Sequence, residues 1–146
     1  MNERNAETKR QYAEWLKGYW WEDMITVTFR SARKEPYYAM RAVERELIQC
    51  NAGRGFLVAE PFQSGDLHVH GLISGMGGYN TQLLPASEIW ERMFKHFGRS
   101  RIEPANSQGA VSMYCSKYIL KQQSRVCDYY TVFGSASDWK LGKISS

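Results

Sequence analysis

"GFLVAEPFQSGDLHVHGLISG", residues 55–75, decides the fold. "GFLVAEPF" and "DLHVHGLI" are two apolar runs joined by "QSG", the spacing of an antiparallel hairpin. Successive side chains of a strand point to opposite faces, so His68 and His70 project together while Val69 faces the core. Glu60 lies in the first run, "VAEP", where an antiparallel neighbour can bring its carboxylate beside the imidazoles.

Upstream, "MITVTFR" (24–30) alternates Ile25, Val27 and Phe29 with polar residues and predicts a half-buried strand. Residues 37–50 predict a helix with Met40, Val43, Leu47 and Ile48 inward, stopping at "NAGRG", whose glycines permit a turn. Tyr12, Leu16 and Tyr19 predict a further helix over about 6–20. Downstream, "GMGGYN" predicts a loop, and residues 85–97 a helix with Ile89, Met93, Phe94 and Phe97 inward and Gly98 as its stop. "SRIEP" predicts a short strand, residues 109–123 a third helix and 128–134 a last strand. The order β-α-β-β-α-β, then helix and strand, predicts an α+β fold. It is an antiparallel β-sheet with flanking helices, ferredoxin-like in its split β-α-β arrangement. We divide the chain into an N-terminal helical segment (1–22), a main domain (23–136) and a C-terminal tail (137–146).

The chain has 146 residues, enough for one ordinary core, and its 43% apolar and 14% aromatic content excludes a disordered polymer. No run of 18 apolar residues occurs, and the first residues lack an apolar signal core, so we expect no membrane partner and a cytoplasmic protein. Three cysteines without CxxC spacing (Cys50, Cys115, Cys127) suit a reducing compartment. The formal charge of +4 is compatible with a nucleic-acid partner. No GxxxxGK[ST] stretch occurs, so no helicase motif accompanies the rest.

An isolated His-x-His pair is more often two satisfied histidines on a polar face than a ligand pair. Glu60, which could also be a solvated outward glutamate, shifts that reading, because two imidazoles and one carboxylate form a mixed set that leaves metal positions open. Such a set suits Mn²⁺ or Mg²⁺ beside a phosphate; zinc is open from the ligands alone. The third helix carries "YCSKYILK", which puts Tyr114, Lys117, Tyr118 and Lys121 on one stripe if the helix is regular. Two lysines in that stripe are incompatible with a dry core, and a basic, aromatic face suits phosphate binding and base stacking.

These residues together resemble the HUH-superfamily endonucleases, and most nearly the rolling-circle replication initiators (Rep proteins) of plasmids, phages and small circular single-stranded DNA viruses. "HVH" corresponds to their His-hydrophobic-His motif, "YCSK" to Tyr-x-x-Lys and "ITVTF" to their strand motif, in the same order, over about 24–134. The resemblance implies an HUH nuclease fold with Glu60, His68 and His70 as metal ligands. It implies tyrosine attack on a phosphodiester of single-stranded DNA at a replication origin, one with a hairpin. A free 3′-hydroxyl and a 5′-phosphotyrosyl link result, and a later transesterification rejoins strands. It allows a host helicase or polymerase as a further partner, and a nuclear location if the source is a eukaryotic virus.

Two Tyr-x-x-Lys matches exist, Tyr114 with Lys117 and Tyr118 with Lys121. We favour Tyr114, since "YCSK" is closest to the eukaryotic-virus motif; a two-tyrosine scheme like that of isometric phages also fits the spacing. Lys117 would offset phosphate charge or lower the phenol's pKa. Thr26, Thr28, Arg30, Arg33, Lys34, Arg99 and Arg101 are candidate substrate contacts, though each taken singly reads first as a solvated surface group. His96 reads as structural. Two other readings stand beside this one. A single-tyrosine HUH transposase would use Gln122 as a ligand. A non-catalytic ferredoxin-like nucleic-acid-binding module would leave the histidines unexplained.

Overall fold

The computed structural model describes residues 3–31, 35–61, 67–75 and 82–144. In chain order these form α1 (Glu3–Lys17), β1 (Asp23–Thr28), α2 (Pro36–Gln49), β2 (Ala52–Pro61) and β3 (Leu67–Gly75). Then come α3 (Ala86–His96), β4 (Ser100–Pro104), α4 (Gln108–Tyr114), a π-helical turn (Cys115–Ile119), β5 (Tyr130–Gly134) and α5 (Ala136–Leu141). The five strands make one sheet in the order β4-β1-β3-β2-β5, with every neighbouring pair antiparallel. The fold is α+β, ferredoxin-like, as the element order predicts.

Strand alternation divides the core into two layers. Ile25, Val27, Leu57, Ala59, Val69 and Ile73 pack against Met40, Val43, Leu47, Ile89 and Met93 of α2 and α3. Phe56, Val58 and Leu72 face the other way, against Ala13 and Leu16 of α1 and Val111, Tyr114 and Ile119 of α4 and the π turn. His68, His70, Glu60 and Thr26 share the parity of this second face. Val69 anchors β3 to the α2–α3 layer between the two histidines.

Several local expectations are corrected. The glycines of "NAGRG" do not turn the chain: Gly53 and Gly55 lie inside β2, and the reversal falls at Cys50–Asn51, where Asn51 takes φ 69°. Gly55 is needed because the Phe133 ring of β5 lies against it; a Cβ there would meet the ring at 2.2 Å. Ile48 and Phe94 are exposed rather than inward. On α3 the inward stripe is Ile89 and Met93 with Phe97 just beyond, so Phe94 is rotated outward and stacks on Trp90 instead.

The third helix is shorter than 109–123. Its α-helical part ends at Tyr114, and Leu120 N–H then donates to Cys115 C=O across a wider turn. Around and beyond this turn side chains reach several of the carbonyls, and Lys121 C=O also accepts from Ser124 N–H. Ser124 Oγ donates to Tyr118 C=O at 2.7 Å, and Lys9 Nζ to Lys121 and Gln122 C=O at 3.1 and 3.2 Å. Within the expected tail, α5 forms behind a capping box between Ser135 and Asp138. The "QSG" turn and residues 76–81, the rest of "GMGGYN" included, lie outside the described residues. Among the described residues no helix is long and apolar enough to cross a membrane.

Candidate metal centre and tyrosine turn

Register assembles the site. Glu60 of β2 lies directly opposite His68, while Thr28 and Thr26 of β1 lie opposite His68 and His70 on the other side. Residues opposite one another in an antiparallel pair put their side chains on the same face at close range. Glu60 Oε2 is 3.7 Å from His68 Nε2 and 3.7 Å from His70 Nε2, and one ligand atom from each of the three residues lies within 4.8 Å of the others. The two imidazoles meet edge to face, with centroids 4.4 Å apart.

Burial sets the charge states. It lowers the His68 pKa to about 4 and the His70 pKa to about 2, with neighbouring positive charge adding to both shifts. Both rings are therefore neutral at pH 7, the form that ligates a metal. Burial raises the Glu60 carboxyl, opposed by Lys121 and Lys9. Glu60 Oε1 and His70 Nε2 are buried and have no hydrogen-bond partner among the described residues. Orphaned buried polar atoms are costly, and a shared cation would satisfy both. Thr26 Oγ1 lies 3.0 Å from His70 Nδ1; in the tautomer with Nδ1 protonated and donating to this hydroxyl, the Nε2 lone pair is left for a ligand. The cluster can hold a metal ion.

The tyrosine turn sits over this cluster. Ser107 caps α4 by accepting from Ala110 N–H, which starts the helix at the right place to carry Tyr114 down onto the sheet. Tyr114 is fully buried, its hydroxyl lacks a hydrogen-bond partner among the described residues, and burial raises its phenol well above the usual value. Tyr118 lies 5.2 Å away between centroids, and its ring stacks on His70 at 3.9 Å and 21°. Lys121 Nζ is 2.9 Å from Glu60 Oε2 and 5.9 Å from the Tyr118 ring centre. Lys117 is exposed. The wider π turn splits the expected stripe, so Lys121 rather than Lys117 is the cation against the carboxylate.

Lys9 is a residue that sequence reading missed. It is 3% exposed on α1, yet it helps line a cleft of ≈ 580 Å³ together with Glu60, His68, Lys121, Arg125 and Asp128. A signal was present: Lys9 shares the helical stripe of Ala13 and Leu16, the buried face of α1. Gln122 also lines the cleft, outside the Glu60–His68–His70 group. His96 Nε2 lies 3.2 Å from Glu46 Oε1 on the α2–α3 side, outside the Glu60–His68–His70 group. Arg30 donates to Phe94 C=O at 2.7 Å, Arg101 pairs with Glu103 at 2.7 Å, and Arg99 is exposed. Arg33 and Lys34 lie outside the described residues.

No protein-family model matches the chain, and no curated protein matches it. Among solved structures the chain is similar to the hypothetical protein ORF119 from Sulfolobus islandicus rod-shaped virus 1. The two share 20% identity over 79% of this chain and 93% of that one, with a TM-score of 0.48.

Proposed function

We propose that the protein is a metal-dependent endonuclease and strand transferase of single-stranded DNA, of the HUH rolling-circle initiator type. The observation that carries this reading is the docking of one short turn on the ligand cluster: Tyr118 stacks on His70 while Lys121 touches Glu60. Phenol, ammonium and ligand set then stand within one phosphate's reach of each other.

A divalent cation held by Glu60, His68 and His70, Mn²⁺ or Mg²⁺, supplies Lewis-acid polarisation of the scissile phosphate. The chain does the rest. Tyr118 is the attacking group in this arrangement, being partly exposed where Tyr114 is sealed in the core. Its phenol oxygen forms a bond to phosphorus as the P–O3′ bond breaks; the phenol proton passes to solvent, and the departing 3′-oxygen takes one up. Lys121 offsets charge on the phosphate from the cleft side. The phosphotyrosyl diester conserves the bond energy, so attack by a 3′-hydroxyl reverses the step without a nucleotide cofactor.

The test is transfer of label from a pool of single-stranded oligonucleotides in Mn²⁺, read on a denaturing protein gel. A 3′-terminal label should move with the protein and a 5′-terminal label should be released. Tyr118→Phe should abolish the adduct and Tyr114→Phe should retain it. Loss in Tyr114→Phe alone would transfer the role to Tyr114, and no adduct at all with the wild-type protein would refute the reading.

A further inference from the structure

The cleft beside the cluster continues onto aromatic residues that the proposed chemistry does not use; of these, Tyr129 is half-buried and packs one side against the α2–α3 core layer. Arg125 and Asp128 line the cleft together with Glu60 and His68. The Arg125 guanidinium lies 5.8 Å from the centre of the Tyr129 ring, and its NH1 is 3.3 Å from the Asp128 carboxylate. Tyr129 meets the Tyr37 ring edge to face at 6.3 Å, and the Tyr37 hydroxyl donates to Asp128 C=O at 3.0 Å. Tyr37 is 45% exposed at the start of α2, and its neighbour Tyr38 is 72% exposed. Cation, ring and ring thus run in contact from the wall of the metal cleft to the surface. Lys9 holds that wall in place by donating to the carbonyls of Lys121 and Gln122.

We propose that this ladder is a second subsite for single-stranded nucleic acid. Arg125 takes a phosphate next to the one at the metal cluster, and Tyr129 and Tyr37 stack the bases that follow it. The chemistry is that of a sequence-tolerant single-strand groove, in which cations track the backbone and aromatic faces receive bases. A Tyr37 already tethered through its hydroxyl presents its ring without a large ordering cost. The inference rests on the reading of the cleft as a nucleic-acid site, and it adds the path the strand takes away from the metal.

The experiment is binding of fluorescent oligothymidylate, and of an abasic oligomer of equal length, in the presence of a chelator so that no cutting occurs. Tyr37→Ala should weaken oligothymidylate binding by roughly five- to fiftyfold and leave abasic binding unchanged. Tyr37→Phe, which keeps the ring but loses the tether to Asp128 C=O, should bind oligothymidylate more tightly than Tyr37→Ala does. Arg125→Gln should reduce the slope of log K against log salt by about 0.7. Unchanged oligothymidylate binding by Tyr37→Ala with a wild-type melting curve would overturn the subsite, as would an equal loss on the abasic strand. Adduct formation by the wild-type protein is scored separately. Ladder-dependent binding without any adduct would reject the nuclease and keep the subsite; adduct formation with no ladder effect would do the reverse.

Discussion

Thr26 Oγ1 sits 3.0 Å from His70 Nδ1, and that contact fixes which nitrogen of the ring faces Glu60. Outer partners of this kind typically change metal affinity by about 10- to 100-fold. Thr26→Val, which keeps the shape and removes the hydroxyl, should therefore weaken Mn²⁺ binding by about that factor in calorimetry, while Thr26→Ser should not. Equal affinity in Thr26→Val would show that His70 is oriented by packing alone. The three candidate ligand residues were legible in the sequence because a strand's period of two is rigid and "VAEP" gives a glutamate no apolar reason to be there. Thr26 was legible only as a polar residue on the right face. Its partner lies 44 residues away, and only strand register joins them. Lys9 was harder still, since it meets Lys121 across 112 residues through a backbone carbonyl, which no residue pattern encodes.

Among the elements, the tyrosine turn was the one most misjudged from sequence. Residues 109–123 have the composition of a continuous helix, yet Ser124 and Lys9 compete for carbonyls that the helix would otherwise have used. The consequence is geometric: a regular helix would have presented both tyrosines and both lysines on one stripe, whereas here Tyr114 at the end of α4 is buried and Lys117 in the π turn is exposed. The β2 glycines misled for a related reason. Glycine reads as a turn in isolation, but Gly55 is glycine because a neighbouring strand's Phe133 occupies the space a Cβ would need. Gly55→Val should cost about 1–3 kcal/mol in urea unfolding, as overpacking generally does. An unchanged midpoint would mean that the ring moves aside freely and that Gly55 has no packing role.

At the scale of the whole molecule, the sheet order follows from hydrophobic period and element order, which is why the α+β architecture was readable before any contact was known. The cost of the site is a whole-molecule property too. The folded chain holds His68 and His70 neutral down to about pH 4 and about pH 2, whereas the unfolded chain protonates both near 6.5. The stability tied to these groups is complete above pH 6.5 and is lost as pH falls from there towards about 4 for His68 and about 2 for His70, because the unfolded state takes up more protons. Without added metal, the melting temperature should drop by about 5 °C or more between pH 7 and pH 5. Glu60, whose carboxyl is raised, acts with the opposite sign. His68→Gln removes one of the two histidine contributions and should reduce the drop; an equal drop in that variant would show that His68 carries none of the acid sensitivity. The central claim, that β2, β3 and the π turn together build a tyrosine transesterase, is tested most directly by peptide mapping of protein incubated with single-stranded DNA and Mn²⁺. The account predicts a nucleotide phosphate on the peptide containing Tyr118, absent without Mn²⁺ and absent in His70→Ala. A nucleotide-free digest, or a modification outside Tyr114 and Tyr118, would contradict it.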